Sequence, residues 1–337
     1  MLNVRRPILT ERLYDGSIRP LLICERMTDP SVDIALWRRW ELPTWAVAIA
    51  IYAAWFALTW WHAVLPVWIL IPAGAILICW HGHLQHEVLH GHPTRLVWLN
   101  EALVFPALGL WFPYGFYRDS HLAHHTDATL TCPLDDPESY YVTPEAWSRM
   151  PAFWKAALRF NNTVLGRFLI GPALSTWSLY GGTIREFAKG DTTNLKSWVL
   201  HGAGCALVIS WLIAAGFPLW LYAPMSYFGI SLIMMRSYGE HRPAEESGHR
   251  ICINLAERPI ALLFLNNSLH AVHHAAPGTA WYELPRLFRD NRESFLERNG
   301  GFVWHGYRDV LRRHFLTPKD EPVHPYFDEK RYRDSHA

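Results

Sequence analysis

The chain has 337 residues, enough for one large domain or two modest ones, and a net charge of +1, which gives no electrostatic footprint for nucleic acid. Half of its residues are apolar, only 18% are charged, and 18 are tryptophan, a residue that concentrates at membrane interfaces. Five scattered cysteines (24, 79, 132, 205, 252) with no C-x-x-C exclude a disulfide framework and a Cys-based zinc or iron–sulfur site.

Residues 1–43 carry seven arginines and six acids, with no apolar run behind a basic start. They read as a cytosolic N-terminal segment rather than a cleaved signal peptide. From Thr44 to Trp80 there is no Lys, Arg, Asp or Glu, and the run is interrupted only around Trp61, His62 and Pro66. Each half has about 18 residues, which as helix covers about 27 Å, close to a hydrocarbon core. A hairpin of spans 44–61 and 63–80 is expected. Ser197–Met235 repeats the pattern around Gly216-Phe217-Pro218, which predicts spans 197–215 and 218–235. Neither run alternates as barrel strands do, so the spans are helices. The predicted fold is all-α and integral to the membrane: two transmembrane helical hairpins, four spans, with a cytosolic histidine-rich cap. Both hairpin tips lack Lys and Arg, whereas the N-terminal segment, residues 81–196 and the tail carry all of them. The positive-inside rule then places both termini and the cap in the cytoplasm. Between the hairpins, Leu96–Pro113 is apolar but broken by Asn100, Glu101 and prolines, and is expected to lie along the interface. Pro151–Tyr180 is amphipathic and reads as interfacial or cytosolic. The main body is 44–290, followed by a charged cytosolic tail, 291–337.

Nineteen histidines are present and they cluster. Five lie between His81 and His92, including His86-Glu87-Val88-Leu89-His90, which matches the H-E-x-x-H of zinc proteases. The spacing H-x-x-H-H then occurs twice, at His121, His124, His125 and at His270, His273, His274. On a helix, positions i, i+3 and i+4 share a face, so each cluster directs its imidazoles to one side. Eight such donors exceed the three or four of one tetrahedral zinc, and two metals with four or five histidines each fit the count. His241, just past the second hairpin, is the natural ninth ligand. A zinc protease using His86, His90 and Glu87 as general base would leave both H-x-x-H-H clusters without a role.

The order H-E-x-x-H, H-x-x-H-H, H-x-x-H-H, interleaved with two apolar hairpins, resembles the membrane fatty acid desaturase and hydroxylase superfamily of non-haem di-iron enzymes. The segment from Asn266-Asn267 through His274 to Pro277 and Trp281-Tyr282-Glu283-Leu284-Pro285 is similar to the last histidine box of bacterial desaturases. The first box departs from the H-D-x-x-H-x-S form common among acyl-lipid desaturases, and no cytochrome b5 module is appended. The resemblance implies two iron ions held by His86, His90, His121, His124, His125, His241, His270, His273 and His274. It implies O2 as co-substrate, a lipid or acyl substrate, and electrons from a ferredoxin or cytochrome b5 type donor with its reductase. The reaction is attack on an unactivated C–H bond: desaturation of a fatty acyl chain, with hydroxylation, terminal-alkene formation or desaturation of a small amino-acid-derived metabolite as alternatives. Ligating histidines usually donate their other N–H to a carboxylate or carbonyl. Glu87, Asp119, Asn267 and His83 are candidates for that supporting layer, as are Asp135, Asp136, Glu138 and Glu240. His81, His83 and His92 are not expected among the ligands.

Overall fold

The computed structural model describes residues 36–335; most of the expected N-terminal segment, with Cys24, lies outside them. The helices that carry the argument are α1 (Leu42–Trp60), α2 (Val67–Leu89), α3 (Tyr114–His124), α4 (Val164–Ala188), α5 (Leu195–Ala214), α6 (Leu219–Tyr238), α7 (His270–Ala275) and α8 (Tyr307–His314). Two short strands, β1 (Ile253–Asn254) and β2 (Val303–Trp304), pair in parallel. The chain is mostly helical, as its patterning predicts.

Among the described residues, α1, α2 and α5 are long and apolar enough to cross a membrane. Their outward faces are as apolar as their inward ones: Ile49, Trp68 and Ile213 are exposed, while Ile51, Leu70 and Leu212 are buried. A helix that is hydrophobic all round fits a lipid surround rather than water. The fourth expected segment is also a helix, α6, of 20 residues, but it is less apolar because it carries Tyr222, Ser226, Tyr227, Ser231 and Arg236. The second helix runs nine residues past its expected end. Nothing in His81–Leu89 breaks the helix, and Gly91, at φ 94, follows only after the first histidine cluster.

Helices α2 and α6 pack along each other, with α1 against α2 and α4 against α6. Small residues allow the close approach, as is usual where lipid supplies no hydrophobic drive between helices. A Cβ on Gly229 would lie 2.6 Å from Cγ2 of Ile78 and 3.2 Å from the carbonyl of Ala75.

The polar residues of α6 have an identifiable role. After the helix Val97–Leu103 the chain runs without helix through Val104–Pro113, burying Val104, Ala107 and Leu108. Irregular backbone is tolerated at membrane depth only where the protein satisfies its polar groups. Tyr222 Oη donates to the Leu108 carbonyl at 2.9 Å, and Ser226 Oγ donates to that of Gly109. Tyr52 Oη donates to the Leu103 carbonyl at 2.6 Å, and His201 Nε2 lies 3.2 Å from that of Leu110. Trp55 Nε1 in turn donates to Tyr222 Oη at 3.1 Å. This segment, expected along the interface, is held between helices by side chains from α1, α5 and α6.

Candidate metal centre

The C-terminal ends of α2 and α6 lie at the same end of the bundle, and both lead directly into histidines. His86 is on the last turn of α2 and His90 caps it. His121 and His124 are on the last turns of α3, with His125 capping it. His241 lies three residues beyond α6, in an isolated antiparallel bridge with Ile251. Helix α7 carries His270, His273 and His274, and is fixed by Ala271 N–H donating to the Cys252 carbonyl at 2.9 Å.

All nine imidazoles converge on two adjacent nests. His86, His90, His121 and His273 form cluster one; His124, His241, His270 and His274 form cluster two. His125 sits at their junction: its Nε2 is 3.1 Å from Nε2 of both His121 and His273, and its ring stacks on His274 at 4.2 Å. The H-x-x-H-H spacing therefore does not deliver three ligands to one place. In the first copy, positions i and i+4 (His121, His125) meet cluster one and position i+3 (His124) crosses to cluster two. In the second copy, i and i+4 (His270, His274) build cluster two and i+3 (His273) crosses to cluster one. Positions i+3 and i+4 are offset by about 100° around a helix, so one face serves two neighbouring centres.

Nε2 atoms face one another: His86 to His121 at 3.0 Å, His124 to His241 at 3.0 Å, and His270 to His241 at 3.0 Å. The other ring nitrogens show which way the lone pairs of His121 and His124 point. His121 Nδ1 is 3.0 Å from Glu138 Oε1 and His124 Nδ1 is 2.7 Å from Asp136 Oδ1. Carboxylates only accept, so these Nδ1 atoms carry the protons and the Nε2 lone pairs point into the nests. His270 Nδ1 lies 3.3 Å from Glu240 Oε1, and Glu240 is paired with Arg236 at 2.9 Å. His90 Nε2 is buried with no hydrogen-bond partner. Burial, and then the neighbouring imidazoles, hold His125, His241, His270, His273 and His274 well below the ordinary histidine value, so their lone pairs are free. Burial also opposes charge on His124, but Glu138 and Asp136 hold it up at about 9. Burial pushes Glu240 up to about 7 against the pull of Arg236.

Two donors each about 2.1 Å from one ion are about 3.0 Å apart at right angles and about 3.4 Å apart in a tetrahedron. The observed 3.0–3.1 Å separations are short enough for neighbouring Nε2 atoms to bind one ion. The donor set is imidazole backed by carboxylates, neutral in the metal-free form except at His124, whose extra proton an ion would displace, and it suits iron, copper or zinc. The residues fit metal in both nests.

The remaining expected residues are distributed as follows. Glu87 is buried behind His86, on the side away from the nest: its Oε1 is 3.9 Å from His86 Nδ1, and its Oε2 accepts from Trp281 N–H at 3.1 Å. It ties the first histidine stretch to the loop after α7 and does not face the space a protease base would occupy. The Asn267 side chain bridges the clusters, with Nδ2 3.2 Å from His86 Nε2 and Oδ1 3.4 Å from His270 Nδ1. Asp119 is outside the centre, exposed and bonded to Arg118 at 2.9 Å. Asp135 accepts from Tyr332 Oη at 2.6 Å. His83 is buried one turn below, its Nδ1 2.8 Å from the Cys79 carbonyl. His81 meets Tyr52 Oη at 3.2 Å, and His92 meets Glu41 at 2.6 Å. Sequence reasoning missed Arg236, a buried charge near the end of α6 that anchors Glu240. A lone arginine near the end of an apolar run was the available signal.

A helical bundle with helices long and apolar enough to cross a membrane, ending in two adjoining histidine nests that could each hold a metal ion, defines a membrane-type, histidine-rich class of protein. The family model "fatty acid desaturase" matches residues 63–307, and the chain belongs to that family, which makes it an oxidoreductase of the desaturase and hydroxylase type. No curated protein matches the chain.

Proposed function

We propose that the protein is a membrane-bound, O2-dependent di-iron oxidase that desaturates a fatty acyl chain or a similar lipid. The observation that carries this reading is the interleaving of nine histidines into two adjoining nests, each backed by carboxylates, within a family of acyl oxidases. The balanced reaction takes –CH2–CH2– with O2, two electrons and two protons to –CH=CH– and two waters. Iron bound in both nests supplies the O2 reduction and the one-electron steps that C–H cleavage needs. Asp136, Glu138 and Glu240 fix the tautomer and orientation of His124, His121 and His270, and their charge offsets that of the ions. Asn267, between the nests, offers a polar contact to both. The electrons come from an external ferredoxin or cytochrome b5 type donor.

In this reading α1, α2, α5 and α6 all cross the membrane, the inner membrane of a bacterial cell, with the nests and both termini on the cytoplasmic side. The apolar bundle admits a substrate from the lipid, and burial of the nests excludes bulk water from the reacting carbon. The test is expression in a host lacking such enzymes, with mass spectrometry of lipids and polar metabolites, beside metal analysis of the purified protein. Two irons per chain and acyl chains lighter by two hydrogens are expected. An unchanged lipid profile from iron-loaded protein overturns the acyl substrate, and a single zinc overturns the di-iron centre.

A further inference from the structure

The segment Thr317–Tyr326 lies beyond the family match and contributes no histidine to either cluster. It is nonetheless bonded to the supports of two ligands of cluster two. Lys319 Nζ donates to the backbone carbonyl of His241 and pairs with Asp320 at 2.9 Å. Lys319 N–H donates to the Asn162 carbonyl at 2.8 Å, and Asn162 Nδ2 donates back to the Asp320 carbonyl at 3.0 Å. Asp320 also accepts from Tyr141 Oη at 2.8 Å. Further along, Val142 N–H donates to the Pro322 carbonyl at 2.9 Å. The buried His324 ring places Nε2 3.1 Å from Thr131 Oγ1. Thr131 N–H donates to Asp136 Oδ2 at 2.8 Å, and the other oxygen of Asp136 holds His124.

The two clusters differ in their need for such a clasp. His86 and His90 of cluster one sit at the end of a 23-residue helix whose own backbone bonds fix them. His241 sits on non-helical backbone past the end of α6, so its position depends on what binds its carbonyl. Among the described residues, no hydrogen bond joins 317–326 to a histidine of cluster one or to Glu138.

We propose that Thr317–Tyr326 is a strap that positions the donors of cluster two, with Lys319 and His324 as its positioning residues, so that metal at the second position depends on the C-terminal segment and metal at the first does not. The inference rests on the two-metal reading above. The test uses the full-length protein in detergent, loaded with ⁵⁷Fe, as wild type, Lys319→Met, His324→Phe, the double variant and Lys319→Arg. Iron per chain, the Mössbauer spectrum and the thermal unfolding of the metal-free form are measured. The expected result is two irons in wild type and Lys319→Arg, and near one in the double variant, with one site's spectrum lost and metal-free unfolding unchanged. A folded double variant with two irons, or with both sites depleted equally, overturns the strap. If the double variant does not fold, the single variants are judged by the same ratio. A wild type that holds fewer than two irons overturns the two-metal reading itself, and the strap with it.

Discussion

The two histidine clusters hold similar donors by different means. Cluster one takes His86 and His90 from the end of a membrane helix, where i and i+4 share a face without outside help. Cluster two takes His241 from a bridge strand and His270 and His274 from α7, a helix of six residues, too short to be stable alone. Its precision comes from neighbours: the Cys252 carbonyl on Ala271, Asp136 on His124, and the Arg236–Glu240 pair beside His270. A rigid element can supply ligand geometry directly, whereas a short one needs a supporting layer of hydrogen bonds.

The largest expected effects separate the clusters by the histidines that cross between them. His273→Ala should abolish product and deplete metal from cluster one, and His124→Ala should do the same for cluster two. Metal analysis after single loading checks this, and depletion in the opposite order breaks the assignment. Next in size, Asp136→Asn should weaken metal binding about 10–100-fold in a chelator competition. Glu138→Gln should cost less, because the Glu138 side chain is 29% exposed and that of Asp136 only 1%. Equal losses would remove the distinction between buried and open support.

Acid should act on both clusters. The unfolded chain binds a proton on each histidine near 6.5, whereas the folded His125, His241, His270, His273 and His274 refuse it. Below about 6.5 the unfolded state therefore holds more protons, and stability falls as pH falls, by up to about 1.4 kcal/mol per histidine per pH unit. His124, held up at about 9, and Glu240, pushed up to about 7, run the other way but are outnumbered. Metal retention measured from pH 7.5 to 5 should drop below about 6.5; constant retention would contradict the buried neutral imidazoles.

Away from the clusters, effects should shrink. Gly229→Val should cost about 1–3 kcal/mol by forcing α6 from Ile78, read as a lower unfolding temperature in detergent. Tyr222→Phe, which removes the donor to Leu108 and the acceptor for Trp55, should cost about 1 kcal/mol. Unchanged stability there would show that the irregular Val104–Pro113 segment does not need its cap.

The histidine clusters and the apolar runs were legible because each is a local pattern: spacing sets which donors share a helix face, and absence of charge marks a span. That reasoning named the nine histidines that the fold brings together, and it named Asp136, Glu138 and Glu240 among the carboxylates near them in sequence. It also picked out Asp119, which the fold turns outward toward Arg118, because closeness in sequence does not fix which way a side chain faces. The tail read from its charge as a separate soluble segment, yet Lys319 and His324 bond back to the centre across long stretches of chain.

The sequence by itself determined which residues can ligate metal and which segments can enter a membrane, since both depend on residue type and short-range period. Only the tertiary structure decided how the donors divide. His124 joins His241 and His273 joins His90 because helices far apart in the chain end at one place, and contacts between distant elements leave no periodic trace in the sequence.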